Sequence, residues 1–355
     1  MDLFKAMRHL LGLSLKEQKP DCAILRLPVE LLLLISASLP LHSQVLLSQT
    51  CRWLRTVLPL ADSSSRLPRE QYLEYLAGLA YDMPERWVCE KCMALHSVVE
   101  FDTPKRPCRT LCPLAWRHGC YQYSFNCFWP HHRHIQLTLK YTRMLGNKKH
   151  QRHLQNLLAP SHSRFVIYPL ERNVLAAQCS TYPKVEISNG NSDGGRRRYL
   201  LLSVRRYKAA REIVSPDSMG IVVVCPHMHM YSGPQPPGPA TLSAYIHAAF
   251  KEEDGVEVRG ACARCPTDFA VRASPWRATV RAWKDLGSEG SPLDPAWRVH
   301  LDDYHQDPVY GIQEDLTIAH EPGSVRKLYE SGGGEVEGIQ WERLEPAPND
   351  LRRAS

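Results

Sequence analysis

The sequence predicts an α+β protein: a small three-helix module followed by a β-rich domain with one or two zinc-ribbon-like sites. Residues 24–58 are dense in leucine at helical spacing, and residues 164–283 alternate strand-like runs with turn signals. Short cysteine and histidine spacings recur along the chain, which is typical of metal sites in a reducing compartment. With 355 residues and 43% hydrophobic content, the chain can build a sizeable core in about two domains.

Composition divides the chain into five regions. They are an N-terminal segment (1–23), a helical module (24–60), a linker helix with a Cys/His-rich region (61–160), a β-rich C-terminal domain (161–322) and a tail expected to lack ordered structure (323–355). Met1–Lys19 carries Asp2 and Glu17 and has no cleavage-site pattern, so we expect a plain helix rather than a signal peptide. The apolar run Leu31–Ile35 is far shorter than the about 20 residues of a membrane span. We therefore expect a cytoplasmic or nuclear protein with reduced cysteines and no membrane contact.

The helical module carries more apolar surface than it can bury alone. Pro28 and Glu30 favour a helix start, because proline suits the first turn and the helix dipole favours an acid there. Leu31–Ile35 then covers every side of that helix, and a helix that is apolar all round must be buried all round. Leu41–Leu58 adds two further helices, but a module of about 35 residues is too small to cover the first one. A partner must cover part of it.

These residues resemble a known family. The shared strings are Leu27-Pro28-x-Glu30, Ile35, Leu39 and Leu46-x-Ser48-Gln49-Thr50-Cys51-Arg52-x-Leu54-Arg55. Together they resemble an F-box, a three-helix module that docks on a Skp-type adaptor and through it on a cullin in a ubiquitin ligase. The resemblance implies that five residues dock the adaptor or support the docking surface: Leu27, Pro28, Leu31, Ile35 and Leu54. A generic helical cap on the following domain would not explain the surplus apolar surface.

The second half of the chain offers one set of metal ligands. Cys225-Pro226-His227 follows a strand-like run, and Cys262-Ala263-Arg264-Cys265 precedes another. Structural zinc takes four Cys or His ligands in a tetrahedron, and such sites are often assembled from two ligand pairs. We therefore predict a zinc site from Cys225, His227, Cys262 and Cys265, with His229 as a possible substitute for His227. Buried free cysteines are the alternative.

A second set of ligands is harder to pair. Cys89-x-x-Cys92 supplies its first half, with His96 close by. The second half could come from Cys108, Cys112, Cys120, Cys127, His131, His132 or His134. Our preferred set is Cys89, Cys92, Cys112 and His132. A cysteine-rich core or a surface histidine patch is the alternative.

Local patterns predict the elements that carry these ligands. Pro68–Ala80, His153–Leu158 and Thr241–Lys251 have helical patterns, whereas alternation in His134–Arg143 predicts a strand. Further strand candidates are Arg164–Leu170, Lys184–Ile187, Tyr199–Arg206, Ile221–Cys225, Phe269–Val271 and Thr279–Trp283.

Much of the chain from Leu25 to Trp297 also resembles filamentous-fungal F-box proteins of unassigned substrate. The shared strings include Trp87-x-Cys89-x-x-Cys92-x-x-Leu95-His96, Cys112-Pro113-Leu114-x-Trp116, His132-Arg133-His134-Ile135-Gln136-Leu137, Cys262-x-x-Cys265-Pro266-Thr267-Asp268-Phe269, Trp283-x-Asp285-Leu286-Gly287 and Ser291-Pro292-Leu293-Asp294-Pro295-x-Trp297. The resemblance implies an adaptor with a metal-supported C-terminal domain that recognises a protein substrate.

Known catalytic signatures are missing from the sequence. It has no phosphate-binding loop, dinucleotide fingerprint, nucleophile elbow or His-Glu-x-x-His helix, so we expect no enzyme. The net charge of +7 permits a nucleic-acid surface, but we expect basic stretches such as Arg196-Arg197-Arg198 to be solvated strand ends. The alternative function is a zinc-ribbon protein that binds nucleic acid and dimerises through its helices.

Overall fold

A computed structural model describes most of the chain. It describes residues 22–58, 60, 64, 66–108, 111–114, 128, 130–144, 146–167, 175–187, 195–209, 213–230, 241–252, 256–301 and 316–331. The chain forms two compact units, residues 1–71 and residues 72–355, so the expected 61–160 and 161–322 regions lie largely within one unit. The helix expected over Met1–Lys19, as well as Cys120 and Cys127, lies outside the described residues. Helices and sheets are both present, which confirms the α+β class.

In the described part of the first unit, three short helices follow a 3-10 turn. The turn is Ala23–Arg26, and the helices are α1 (Val29–Ser38), α2 (Leu41–Gln49) and α3 (Arg52–Val57). Pro28 and Pro40 directly precede α1 and α2, where the missing proline N–H leaves no helix hydrogen bond unmade. Leu32, Val45 and Leu54 form the buried side of the unit.

The predicted linker helix is α4 (Arg69–Tyr81), which begins in the first unit and continues into the second. It is followed by a hairpin of β1 (Arg86–Cys89) and β2 (Ala94–Ser97). The expected helix His153–Leu158 is the second half of a longer one, α6 (Lys148–Leu157), whose first turn is capped by the Asn147 side chain.

The strand predicted at His134–Arg143 is wrong, because His132–Arg143 form a helix, α5. Its apolar residues alternate with polar ones as in a strand, but all positions from 132 to 141 are buried. The polar side chains can be buried because each has a partner. Gln136 bonds both backbone groups of Val88, and Lys140 donates to the carbonyl oxygens of Met83 and Arg86.

A six-stranded antiparallel sheet forms the centre of the second unit. Its strand order is β3-β4-β5-β10-β9-β8. The strands are β3 (Ser161–Ile167), β4 (Leu175–Ile187), β5 (Arg197–Ala209), β8 (Glu257–Ala261), β9 (Thr267–Ser274) and β10 (Arg277–Ser288). A second hairpin, β6 (Val222–Cys225) and β7 (Met228–Met230), precedes α7 (Leu242–Lys251), and α8 (Pro295–Arg298) follows the sheet. The strand predictions in this region and the helix at Thr241–Lys251 are confirmed, and β4, β5, β9 and β10 are longer than expected. Residues 168–170 of the strand predicted at Arg164–Leu170 lie outside the described residues.

The two faces of this sheet are covered differently. One face packs against α5 and α7: Tyr199 and Leu201 contact Ile135 of α5 in one apolar cluster, and Phe269 lies edge-on to Tyr245 of α7. On that face Gly260 is required, since a Cβ there would lie 2.4 Å from the Phe269 ring. We call this the helix-covered face. The opposite face, which carries Leu202 and Trp283, is covered over part of its length by a C-terminal helix.

That helix corrects our expectation of a tail without ordered structure from residue 323. Ser324–Ser331 form α9, in which Val325 and Tyr329 are buried on the sheet. Asp268 of β9 accepts hydrogen bonds from the backbone N–H groups of Gly323 and Arg326. A strand side chain therefore provides acceptors for N–H groups at the helix start that have no partner within the helix. Residues 332–355 lie outside the described residues. In the part of the chain that the structure describes, no helix has the length and apolar character needed to cross a membrane.

Candidate metal centres

Among the residues that the structure describes, two clusters of cysteine and histidine side chains could each hold a metal ion. Cluster 1 contains Cys89, Cys92, His96 and Cys112. Cluster 2 contains Cys225, His227, Cys262 and Cys265. In each cluster, one ligand atom from every residue lies within 4.8 Å of the others. Three sulfurs and one imidazole nitrogen form a donor set that structural zinc sites use.

Cluster 2 lies between two chain reversals. Cys225 and His227 belong to the turn between β6 and β7, whereas Cys262 and Cys265 belong to the turn between β8 and β9. All four residues were predicted from the sequence, and the structure brings them together. His229, the possible substitute, bonds the carbonyl oxygen of Pro226 through Nδ1 instead.

The geometry of cluster 2 is compatible with tetrahedral coordination. Cys262 Sγ lies 3.7 Å from His227 Nδ1. Bond lengths of about 2.3 Å to sulfur and about 2.0 Å to nitrogen place two tetrahedral ligand atoms about 3.5 Å apart. The backbone N–H of Arg264 also donates to Cys262 Sγ, an interaction that stabilises a thiolate. Cluster 2 is therefore spaced for one ion.

A second layer of side chains fixes Cys265. Its Sγ lies 3.2 Å from Thr267 Oγ1, which lies 3.1 Å from Nε2 of the buried His300. Nδ1 of His300 lies 2.8 Å from the carbonyl oxygen of Ala296 in α8. Burial lowers the pKa of His300 to about 3, so this ring is neutral at physiological pH. Such outer partners orient metal ligands, and this one connects cluster 2 to α8.

The thiols of cluster 2 influence each other's ionisation. Burial raises the pKa of the Cys225 thiol well above its usual value. Hydrogen bonds from Cys225 and Cys265 lower the pKa of the Cys262 thiol. Three thiols this close favour one thiolate held by two S–H donors, and a divalent cation would stabilise all three as thiolates.

Cluster 1 forms on the β1–β2 hairpin. Cys89 and Cys92 belong to its turn, His96 lies on β2, and Cys112 comes from a later loop. Cys112 Sγ lies 3.6 Å from Cys89 Sγ, close to the distance of about 3.8 Å between two sulfurs of a tetrahedral zinc site. Its distance to Cys92 Sγ is shorter, at 3.1 Å. Nε2 of His96 is buried and has no hydrogen-bond partner among the described residues, so it can act as a ligand.

His132, our preferred fourth ligand, is not part of cluster 1. It lies at the start of α5, where Nδ1 is 2.7 Å from Gln136 Nε2. The backbone N–H of Val88 donates to Gln136 Oε1, and the carbonyl oxygen of Val88 accepts from Gln136 Nε2. These two bonds fix the orientation of the amide, so the other N–H of Nε2 must donate to His132 Nδ1. His132 is therefore fixed as a neutral acceptor within the core, and burial lowers its pKa to about 3. The structure replaces it with His96, which we had noted only as a neighbour.

A buried ion pair connects the segment before Cys112 to α5. Arg133 donates to both carboxylate oxygens of Asp102, at 2.6 and 3.0 Å. Asp102 also accepts from the backbone N–H of Cys108 and lies 3.3 Å from His134 Nε2. Burial raises the pKa of Asp102, but hydrogen bonds from His134 and Arg133 outweigh it and hold the pKa below its usual range. Cys108, His131 and His134, which we considered as ligands, are outside cluster 1.

The residues predicted to dock an adaptor divide into two groups. On α1, Leu31 is 46% exposed and Ile35 is 39% exposed, and Pro28 before the helix is also exposed. Leu27 is half-buried, and Leu54 is buried inside the first unit. Leu34 belongs to the apolar run Leu31–Ile35 but was not among the five predicted docking residues, and at 67% it is more exposed than Leu31 or Ile35. Leu32 and Ser36 occupy the inner side of the helix. Because the run is apolar at every position, the sequence pattern alone does not show which of its leucines face outward.

Comparison with known proteins identifies no relative. No protein-family model, curated protein or solved structure matches this chain.

Proposed function

We propose that this chain is the substrate-recognition subunit of a Skp–cullin–F-box ubiquitin ligase and that it has no catalytic role. The observation that carries the proposal is the exposed apolar face of α1. The first unit offers this face to an adaptor, and the second unit, supported by zinc in clusters 1 and 2, selects a protein substrate.

The α1 face has the composition of an interface. Leu31, Leu33, Leu34 and Ile35 are exposed side by side on a helix of ten residues. Contiguous apolar patches of this kind mark interaction sites in soluble proteins. Burying an exposed leucine contributes about 1.5–3 kcal/mol, so two of these residues suffice for a strong contribution to binding. Behind this face, Leu32 of α1, Val45 of α2 and Leu54 of α3 are buried.

The metal clusters support a structural role for zinc. Each provides four protein ligands, which leaves no open position for a substrate or a water. The pattern of three thiols and one imidazole favours zinc over the harder cations that prefer oxygen ligands. We therefore propose two structural zinc ions per chain and no metal-dependent chemistry.

Adaptor binding tests the proposal directly. The full chain would be co-expressed with a Skp-type adaptor, and complex formation measured by co-purification and isothermal titration. Leu31→Glu combined with Leu34→Glu should weaken binding at least a hundredfold, since two leucine contacts are lost and two charges are buried. Zinc content and the melting temperature of the second unit should not change.

A matched control uses an exposed apolar residue elsewhere. Ile187 is 50% exposed at the end of β4, and Ile187→Glu should leave adaptor binding unchanged. If the wild-type chain does not bind the adaptor, or if the α1 double variant binds as tightly as wild type, the proposal is wrong. A dimer formed through α1 would instead support the helical-dimerisation alternative.

A further inference from the structure

We propose that a pocket at the start of α5 binds a carboxylate group of a substrate protein, supplied by its C-terminus or by an acidic side chain. The inference rests on the proposed function, since it names the group that the second unit of a substrate-recognition subunit would bind. The α1 face takes no part in it.

The pocket lies between the β1–β2 hairpin, the first turn of α5 and the region of α8. Its volume is about 310 Å³ including its open mouth, at the lower end of the range for ligand sites. Trp87, Pro292 and Trp297 provide apolar walls. Both tryptophans are buried and belong to packed apolar clusters, so these walls are fixed in position. A pocket of this size takes one side chain or one chain terminus of a peptide.

One hydrogen-bond donor in the pocket wall lacks an acceptor. His132 lines the pocket and is 8% exposed. Its Nδ1 accepts from Gln136 Nε2, so the neutral ring carries its proton on Nε2, which is directed away from Gln136. Among the described residues, this Nε2–H has no hydrogen-bond partner. A buried donor without an acceptor is destabilising, so a ligand that offers an acceptor here gains affinity.

A second donor comes from the next residue. Arg133 also lines the pocket and is 5% exposed. Its Nε and Nη2 donate to Asp102, and Nη2 also donates to the carbonyl oxygen of Cys108, whereas Nη1 has no hydrogen-bond partner in the described part of the chain. Arg133 Cζ lies 5.5 Å from the ring centroid of Trp87, which is part of the pocket wall. The guanidinium group therefore reaches the pocket while Asp102 holds it in place.

The start of α5 also favours an anion. The N-cap residue His131 and the first two helix residues all line the pocket. First-turn N–H groups have no partner within a helix, and the helix dipole places a partial positive charge there. Anions bind at helix N-termini for this reason. Here the helix end coincides with two buried side-chain donors, so the site does not depend on the dipole alone.

A carboxylate matches these donors better than other acceptors. It has one oxygen for His132 Nε2–H and one for Arg133 Nη1–H, whereas a single carbonyl oxygen would have to accept from both. A phosphate would bring about two negative charges to a wall that contains Glu90, and Asp102 already balances Arg133. Glu90 Oε1 lies 3.9 Å from Lys91 Nζ, which reduces its repulsion of one negative charge.

Peptide binding to the full chain, without an adaptor, tests this inference. Three pools of random hexapeptides without Asp or Glu would be immobilised through an N-terminal biotin and measured by biolayer interferometry. The first pool has free C-termini, the second has amidated C-termini, and the third is amidated but carries one Glu at a fixed position. We expect the first or the third pool to bind about tenfold more tightly than the second, and the tighter one identifies the source of the carboxylate.

Two variants change the pocket in opposite directions. His132→Asn keeps an acceptor for Gln136 but removes the Nε2–H donor, so it should weaken binding of the preferred pool about tenfold. Glu90→Gln removes the opposing charge and should strengthen binding about threefold. Damage to the fold would not produce such a gain. Glu321→Gln removes the same charge from an exposed position outside the pocket wall and should leave binding unchanged.

Circular dichroism and melting curves verify that every variant is folded. The inference is wrong if no pool binds, if the three pools bind equally, if His132→Asn binds like wild type, or if Glu90→Gln and Glu321→Gln have the same effect. A chain that binds the adaptor but shows no preference for carboxylates refutes this inference alone. A chain that binds the carboxylate pools but no adaptor refutes the proposed ligase function instead.

Discussion

The two metal clusters have the same kind of ligands but different surroundings. The difference indicates how strongly the stability of each region should depend on its ion. Cluster 2 lies against an extensive apolar cluster, which includes Met219, Ile246 and Phe269. Cluster 1 lies on a hairpin of two four-residue strands with a much smaller core around Trp87 and Leu137. A hairpin of this size is marginal without further support. Cluster 1 should therefore hold its region together, whereas cluster 2 should reinforce a region that is already packed.

The largest effect is expected from removing a ligand of cluster 1. Cys89→Ala should release the ion and abolish hydrogen-exchange protection in β1 and β2, because zinc binding is worth about 10–16 kcal/mol in small zinc-binding peptides. Protection in β9 and β10 should remain. Protection of β1 and β2 at wild-type level in this variant would show that the hairpin does not depend on a metal.

A ligand of cluster 2 should have a smaller but still large effect. Cys262→Ala should lower the melting temperature by several degrees more than Cys179→Ala, which changes a buried cysteine of β4 outside both clusters. A buried thiol behaves as a small hydrophobic group, and its loss costs about 1 kcal/mol. A zinc chelator should reproduce the Cys262→Ala loss in wild type only. Equal melting shifts for both variants, with no chelator effect, would identify Cys262 as an ordinary core residue.

Part of the fold and of the two metal clusters could be predicted from the sequence. All four ligands of cluster 2 were predictable, because each pair lies within one tight turn and only the approach of the two turns had to be assumed. The fourth ligand of cluster 1 was not, because His96 and His132 are both near the cysteines in sequence and only the hydrogen bonds of Gln136 exclude His132. Helix α5 was mistaken for a strand because its polar residues are buried with distant partners. Helix α9 was missed because its start is capped by Asp268, a residue 56 positions before Ser324.

Variants of the Asp102–Arg133 pair test how much α5 stabilises the segment before Cys112. Asp102→Ala would leave the Arg133 guanidinium buried without its partner, which typically costs about 3–5 kcal/mol. Urea denaturation measures the loss. Asp102→Ala combined with Arg133→Met should recover part of it, because no uncompensated charge remains. A double variant as unstable as the sum of both single variants would show that the pair does not act as a unit.

The smallest expected effect concerns pH. In the folded protein burial holds the pKa of His132 at about 3, whereas the unfolded chain titrates near 6.5. Between these values only the unfolded state binds the proton, so stability falls as pH decreases below about 6.5. At pH 5 this lowers the free energy of unfolding by about 2 kcal/mol. His132→Asn keeps an acceptor for Gln136. Between pH 7 and pH 5, the free energy of unfolding of this variant should fall by about 2 kcal/mol less than that of wild type, as measured by urea denaturation. The same pH dependence in both proteins would contradict the buried, neutral His132.

Zinc stoichiometry tests the central claim most directly. The full chain, purified without chelator, would be analysed by inductively coupled plasma mass spectrometry together with Cys89→Ala, Cys262→Ala and Cys179→Ala. We predict two zinc ions per chain in wild type and in Cys179→Ala, and one in each of the other two variants. A zinc content near zero in wild type, or an unchanged content in Cys89→Ala and Cys262→Ala, would contradict the assignment of both clusters.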